Sequence, residues 1–235
     1  MTTRVELAVL DMAGTTIDEG QQVYRVLAET ANAYGASPSE ADIARWHGAA
    51  KHEALRALLT PSGGAPPNAE LLDAVVADFR ARLTSAYAAS PPRPLSGITD
   101  AMAALRSAGI RIALTTGFDR DIVDSLLAAL GWEGESTVDA VVCGSDVAAG
   151  RPAPFMIFRA MEKLGVTDVS RVLVAGDTPR DLQAGTNSGA ALVVGVLSGA
   201  DDAVELGRYR HTHLLASVAD LPALLEVRNL AAGPS

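Results

Sequence analysis

The sequence predicts an α/β fold: a doubly wound parallel sheet carrying an inserted α-helical cap. Two observations carry this. From about residue 98 onward, short apolar runs alternate with amphipathic helical stretches, as strands joined by crossover helices do. Between the first apolar run and the second, residues 21–90 show helical periodicity and no convincing strand, so the helices interrupt the sheet.

The first apolar run, Leu7-Ala8-Val9-Leu10, ends in Asp11 and continues as Met12-Ala13-Gly14-Thr15-Thr16. It reads as a buried strand that delivers a carboxylate to the edge of a parallel sheet. Asp18-Glu19-Gly20 is a polar break. Val23, Leu27, Ala31 and Tyr34 then recur at helical spacing, predicting an amphipathic helix over 21–34 whose stripe serves as cap core or as a homodimer surface. Ser37 as N-cap with Pro38 at the first position predicts a second helix reaching Trp46 and stopping at His47-Gly48. A third runs from Lys51 to Leu59, residues 61–67 are a Pro/Gly loop, and a long helix spans Ala69 to Ser90 with Leu71, Val75, Phe79 and Leu83 on one stripe. Pro91-Pro92-Arg93-Pro94 marks the return. The expected division is a core of residues 1–20 and 91–235 and a cap of residues 21–90.

Past the return the expected order is helix 98–108, strand 110–114, helix 119–130, strand 140–142 and helix 154–164. Strand 172–175, a helix around 180–188, strand 191–196, a short strand at 213–215 and a helix from about Asp220 complete it.

Acidic residues outnumber basic ones, 28 to 19, for a net charge of −9, which argues against a nucleic-acid partner because phosphate backbones need a basic face. A single cysteine, Cys143, excludes an internal disulfide framework and a cysteine-based zinc site. No apolar run approaches the ~20 residues that span a bilayer, and no leader pattern opens the chain, so no membrane partner is expected and the expected address is the cytoplasm.

Three strands end in chemically useful residues: Asp11, Thr115-Thr116-Gly117 and Gly176-Asp177. In a parallel sheet these ends share one edge and converge on one crevice. Arg151 follows the third strand, and Asp181 lies four residues beyond Asp177. Asp11 and Asp177 supply hard oxygens suited to magnesium, which takes few protein ligands. A Thr hydroxyl, neighbouring backbone N–H groups and one Arg can cradle a phosphoryl group. Metal and Arg together offset the repulsion between an attacking carboxylate and a phosphorus dianion.

This set resembles the haloacid dehalogenase-like (HAD) superfamily, whose Rossmann-like core carries a nucleophilic Asp, a Ser/Thr, a Lys/Arg and an acidic pair at these places. The resemblance implies Asp11 as nucleophile and Mg2+ ligand, the Ala13 backbone carbonyl and Asp177 as further ligands, and Asp181 as a supporting acid behind them. Thr115 and Arg151 would then hold the phosphoryl group, with Gly14, Thr116 and Gly117 around it. Phosphatases of the superfamily usually place a second Asp where this chain has Ala13, and a methyl group cannot shuttle a proton. The wording Asp11-Met12-Ala13-Gly14-Thr15-Thr16 is similar instead to the phosphonoacetaldehyde hydrolases (phosphonatases). Thr115-Thr116-Gly117-Phe118, Gly150-Arg151-Pro152-x-Pro154 and Gly176-Asp177-Thr178-x-x-Asp181 share that likeness.

In that family a cap lysine within Gly-x-x-Lys replaces the missing acid, and this chain has Gly48-Ala49-Ala50-Lys51. The resemblance implies that Lys51 forms an imine with the substrate aldehyde, for which a cationic or apolar pocket must strip its proton. The plain alternative is a surface lysine in a first helical turn. Around it the chain departs from the family: His47 stands for a Met, Ala54 for a His, Gln21 for a Cys and Phe118 for a Tyr. His47 or His52 is therefore a candidate for proton transfer or substrate contact. The expected partner is a small phosphonate or phosphate. The competing readings are a phosphomonoesterase without the usual second Asp and a phosphate-binding relative with little turnover. His211 and His213 are expected at the surface, Trp46 and Trp132 in packing, and Cys143 as a small buried hydrophobe.

Overall fold

The computed structural model describes residues 4–132 and 137–232. Its main sheet comprises β1 (Leu7–Asp11), β4 (Arg111–Thr116), β5 (Ala140–Cys143), β6 (Val172–Gly176), β7 (Leu192–Val196) and β8 (His213–Leu215). The spatial order is β5-β4-β1-β6-β7-β8, with every neighbouring pair parallel. The strands run apolar without a break, as a sheet covered on both faces requires. Ala8, Leu10, Ile112 and Leu114 face one apolar cluster, while Leu7, Val9 and Ala113 face the other.

The crossover helices are α5 (Ile98–Ser107), α6 (Arg120–Leu130), α7 (Phe155–Leu164) and α8 (Pro179–Ser188), with α9 (Ala203–Leu206) and α10 (Leu221–Ala232) closing the chain. Met156, Ile157 and Ala160 of α7 and Ala184 of α8 pack on the Leu7/Val9 face; Met102 and Leu105 of α5 and Val123 of α6 pack on the other. Trp132 is buried among the latter set and Cys143 is fully buried, as expected of packing residues.

The cap is four helices, α1 (Gln22–Ala33), α2 (Glu40–Ala44), α3 (Lys51–Leu58) and α4 (Ala69–Ala89). They run between two short strands that the sequence pattern did not reveal, β2 (Ile17–Asp18) and β3 (Arg93–Pro94), paired antiparallel. Gln22 Nε2 ties the two crossings together, donating to the carbonyls of Glu19 at 3.0 Å and Ser90 at 2.9 Å. Val23, Val26 and Leu27 of α1 pack with Val75, Phe79 and Leu83 of α4, so the apolar stripe of α1 is cap core.

Three sequence expectations need correction. Tyr34 lies beyond the last buried turn of α1 and is exposed, as is Leu71, although its neighbour Leu72 packs on the core. The second cap helix is shorter than Pro38–Trp46. Its N-cap is Ser39, not Ser37, because the Ser39 side chain accepts from the Asp42 N–H while Asp42 reaches back to the Ser39 N–H, a reciprocal pair that fixes the start.

The cap lies hard against the core. Gly48 has φ 71°, and a Cβ there would fall 2.5 Å from Thr178 Oγ1. At Gly117 a Cβ would fall 2.8 Å from the Ala49 carbonyl oxygen, backbone against backbone. Gly117→Ala is therefore expected to lever the cap away while leaving the sheet intact. Faster tryptic cleavage in the cap, with a thermal midpoint within a few degrees of wild type, is the checking measurement.

Candidate active site

Parallel register sets the crevice. Asp11, the last residue of β1, pairs with Thr115 of β4, and Asp177 follows directly on β6 at the other side of β1. Strand order reverses about β1, which is where an open α/β sheet gapes. Asp11, Thr115, Thr116, Arg151, Asp177 and Asp181, drawn from four segments of the chain, are all buried together there.

Arg151 is the hub. Its Nη1 donates to Asp11 Oδ1 at 2.5 Å, its Nη2 to Thr115 Oγ1 at 2.6 Å, and its Nε lies 2.9 Å from Asp181 Oδ1. Asp181 is held in turn by the start of α8, where its Oδ2 accepts from Thr178 Oγ1 at 2.6 Å and Thr178 N at 3.1 Å. Asp177 accepts from Thr15 Oγ1 at 2.8 Å and from the Ala200 N–H at 2.7 Å. Gly14 and Gly199 leave it room: a Cβ at either would sit 2.4 Å or 2.0 Å from Asp177 Oδ2. Thr116 serves the turn, its Oγ1 accepting from the Phe118 N–H at 3.1 Å.

Asp11, Asp177 and Asp181 each offer an oxygen within 4.8 Å of the others. Burial pushes the Asp11 carboxyl well above the ordinary range; Arg151 opposes this and the two neighbouring acids add to it. Asp177 is driven the same way by burial and then by Asp181. For Arg151 burial works against the charge, but Asp11 and Asp181 outweigh it and hold the guanidinium protonated. One fixed cation among three buried carboxylates leaves a negative excess that a hard divalent cation would neutralise, and the donor set is all oxygen, as magnesium prefers.

Lys51 opens α3 and points inward, only 7 % exposed. Its Nζ donates to the Ala49 carbonyl at 3.0 Å and stands 5.0 Å from the Tyr24 ring centroid and 5.8 Å from that of Phe118. Burial lowers its pKa to about 8, with Asp11 and Glu19 pulling it back up. Ala13 and Gln21 line a cavity of about 120 Å³ beside Asp177, together with Gly14, Glu19 and Tyr24. Ala54 is wholly buried.

His47 lies at the mouth between cap and core. Its Nδ1 is 3.4 Å from Asp201 Oδ2 and its ring leans on Tyr24, centroids 4.4 Å apart. His211 and His213 are half-buried, each keeping some surface exposure; His211 Nδ1 lies 2.7 Å from the Tyr209 carbonyl, and neither joins an acidic metal cluster among the described residues. Sequence reasoning missed Glu19, Tyr24, Thr15 and the Ala200 N–H. An acid two residues before an amphipathic helix was a signal for Glu19 as a helix-start acceptor; the others depend on contacts distant in sequence.

Residues 5–189 match the family model of haloacid dehalogenase-like hydrolases. The phosphonoacetaldehyde hydrolase of Paraburkholderia xenovorans is 33% identical over 207 residues, covering 83% of this chain and 76% of that protein. That of Bacillus cereus is 29% identical over 208 residues, 85% and 78% of the two chains. Among solved structures, a phosphonoacetaldehyde hydrolase-like protein of Oleispira antarctica superposes with TM-score 0.83 at 24% identity, covering 100% and 96% of the chains. A β-phosphoglucomutase of Clostridium difficile does so with TM-score 0.80 at 16% identity, covering 97% and 99%. At those identities the shapes speak for the fold alone.

A buried ammonium is a stability cost that disappears once the unfolded chain also loses the proton. With Lys51 near 8 folded and 10.5 unfolded, the unfolded state binds more protons between those values, so stability rises with pH across that window. Lys51→Met is expected to raise the thermal midpoint by several degrees at pH 7, about 3 kcal/mol at most, with the gain shrinking as pH climbs from 8. Scanning calorimetry at pH 7 and pH 9.5 checks it.

Proposed function

The chain belongs to the haloacid dehalogenase-like hydrolases, and from that premise we propose that it is a magnesium-dependent phosphonatase-like enzyme. Its substrate is phosphonoacetaldehyde or a close phosphonate relative, cleaved at the P–C bond through an imine on Lys51. The observation that carries the reading is the pairing of two residues. Ala13 denies the site the usual proton donor, and Lys51 brings a buried amine under two aromatic rings.

Asp11, Asp177 and the Ala13 backbone carbonyl would hold the magnesium ion, and Asp181 orients Arg151 behind them. When bound, the ion offsets the charge that Asp11 and the phosphoryl oxygens bring together. Arg151 and Thr115 bind those oxygens and align phosphorus with Asp11. At a pKa of about 8, about a tenth of Lys51 is neutral at pH 7, against roughly one part in a few thousand for an ordinary lysine. The amine condenses with the aldehyde, releasing water and leaving a protonated imine. Asp11 then attacks phosphorus. The P–C bond breaks, its electron pair flows toward the iminium nitrogen, and an enamine and an aspartyl phosphate result. Protonation of the enamine carbon restores the imine, and water hydrolyses both adducts to acetaldehyde, phosphate and free enzyme.

Incubation with phosphonoacetaldehyde and magnesium is expected to release acetaldehyde and phosphate in equal amounts, with Asp11→Asn and Lys51→Arg each losing at least a thousandfold. Borohydride added during turnover should leave a reduced two-carbon adduct on Lys51. Full activity in Lys51→Arg, or hydrolysis of phosphate monoesters independent of Lys51, sinks the imine reading and leaves a phosphatase. Chelation of magnesium is expected to abolish release and readdition to restore it.

A further inference from the structure

We propose that Glu19 is the acid–base partner of Lys51, taking the proton from its ammonium and returning it to the departing hydroxyl as the imine forms. The inference rests on the imine reading above and adds to it a residue outside the phosphoryl and metal sites. Glu19 lies in the crossing from β2 to α1 and is 6 % exposed, a rare placement for a carboxylate with no cation in contact among the described residues. Its Oε2 accepts from the Val23 N–H at 2.9 Å and from Tyr87 Oη at 3.3 Å. The side chain lines the 120 Å³ cavity together with Tyr24. Lys51 Nζ stands over that same Tyr24 ring. A buried anion and a buried cation thus share the neighbourhood of one aromatic ring, and each feels the other's charge.

The other groups around Lys51 are unsuited. Asp11 is engaged by Arg151, whose guanidinium holds its proton. Burial holds the Tyr24 and Tyr87 phenols in their protonated form, and Tyr24 Oη already accepts from the Gly48 N–H at 3.1 Å. Phe118 has no hydroxyl, Ala54 no imidazole, and His47 turns its Nδ1 to Asp201. Glu19 remains. Burial raises its carboxyl and lowers the Lys51 amine, bringing the two affinities for a proton toward each other, where transfer between them is least costly.

The step balances. The Lys51 ammonium passes a proton through solvent to the Glu19 carboxylate. The amine nitrogen bonds to the carbonyl carbon, and the C=O π pair moves to oxygen, which takes the second nitrogen proton. The nitrogen lone pair then expels that hydroxyl, which leaves as water with the proton held by Glu19. One water and one protonated imine result, and Glu19 is again a carboxylate.

The test measures cyanoborohydride trapping of phosphonoacetaldehyde on Lys51 by intact mass, from pH 6 to 9, in the full chain. Glu19→Gln keeps an oxygen for the Val23 N–H and Tyr87 Oη but loses the charge and the titration. It is expected to slow trapping about a hundredfold at pH 7 and to shift the limb where the amine becomes reactive toward acid, because an anion that favoured the ammonium is gone. A role confined to packing leaves that limb in place. An unchanged rate and profile in Glu19→Gln, or a hundredfold loss in His47→Asn with Glu19→Gln intact, overturns the proposal. If the wild type forms no adduct at all, the imine reading falls and this inference with it.

Discussion

Everything at the sheet edge depends on one guanidinium shared among buried acids. Asp11, Asp177 and Asp181 come to one crevice because β1 lies between β4 and β6, and Arg151 pairs with two of them, Asp11 and Asp181. A guanidinium fits this post because it cannot lose its proton and offers donors in several directions at once. Nη1 takes Asp11, Nη2 takes Thr115, Nε takes Asp181, so these three side chains are arranged about a rigid fork. The acids are themselves anchored: Asp181 by the first turn of α8, Asp177 by Thr15 and the Ala200 N–H. Such a site is not built for stability, since buried like charges destabilise the chain that carries them. Its three carboxylates offer an oxygen donor set that could hold a metal ion.

The core was legible because its signal is local. Apolar runs ending in Asp11, Thr115 and Asp177 declare both the strand and the residue it delivers, and parallel topology makes the ends meet. Arg151 and Asp181 were legible by their spacing after strands. The cap was legible only as helices, because amphipathic periodicity reports which face is buried but not against what. Tyr34 and Leu71 show the limit: both continue an apolar stripe in the sequence and stand exposed in the fold. Glu19 shows another. Within Asp18-Glu19-Gly20 it has the composition of a solvated break, and only the fold, by crossing there from core to cap, buries it.

In the proposed reaction the cap contributes chemistry rather than shelter alone. Lys51 is buried because α3 sets it beside Tyr24 of α1 and Phe118 of the core, and that burial is the main cause of its lowered proton affinity. Undocked, the same side chain would be an ordinary solvated lysine, protonated and inert as a nucleophile.

Docking is in turn read by the phosphoryl site. Arg180, in the first turn of α8, stacks on Trp46 of the cap with its Cζ 5.5 Å from the ring centroid. It donates to the Arg45 carbonyl of the cap at 3.4 Å and to the Arg151 carbonyl of the core at 3.2 Å. Gly48 passes over Thr178, the residue that caps the helix holding Asp181. Each of these contacts joins the segment before Lys51 to a segment that fixes Arg151 or Asp181. A lysine dried by closure and an arginine positioned beneath it are therefore products of one packing event.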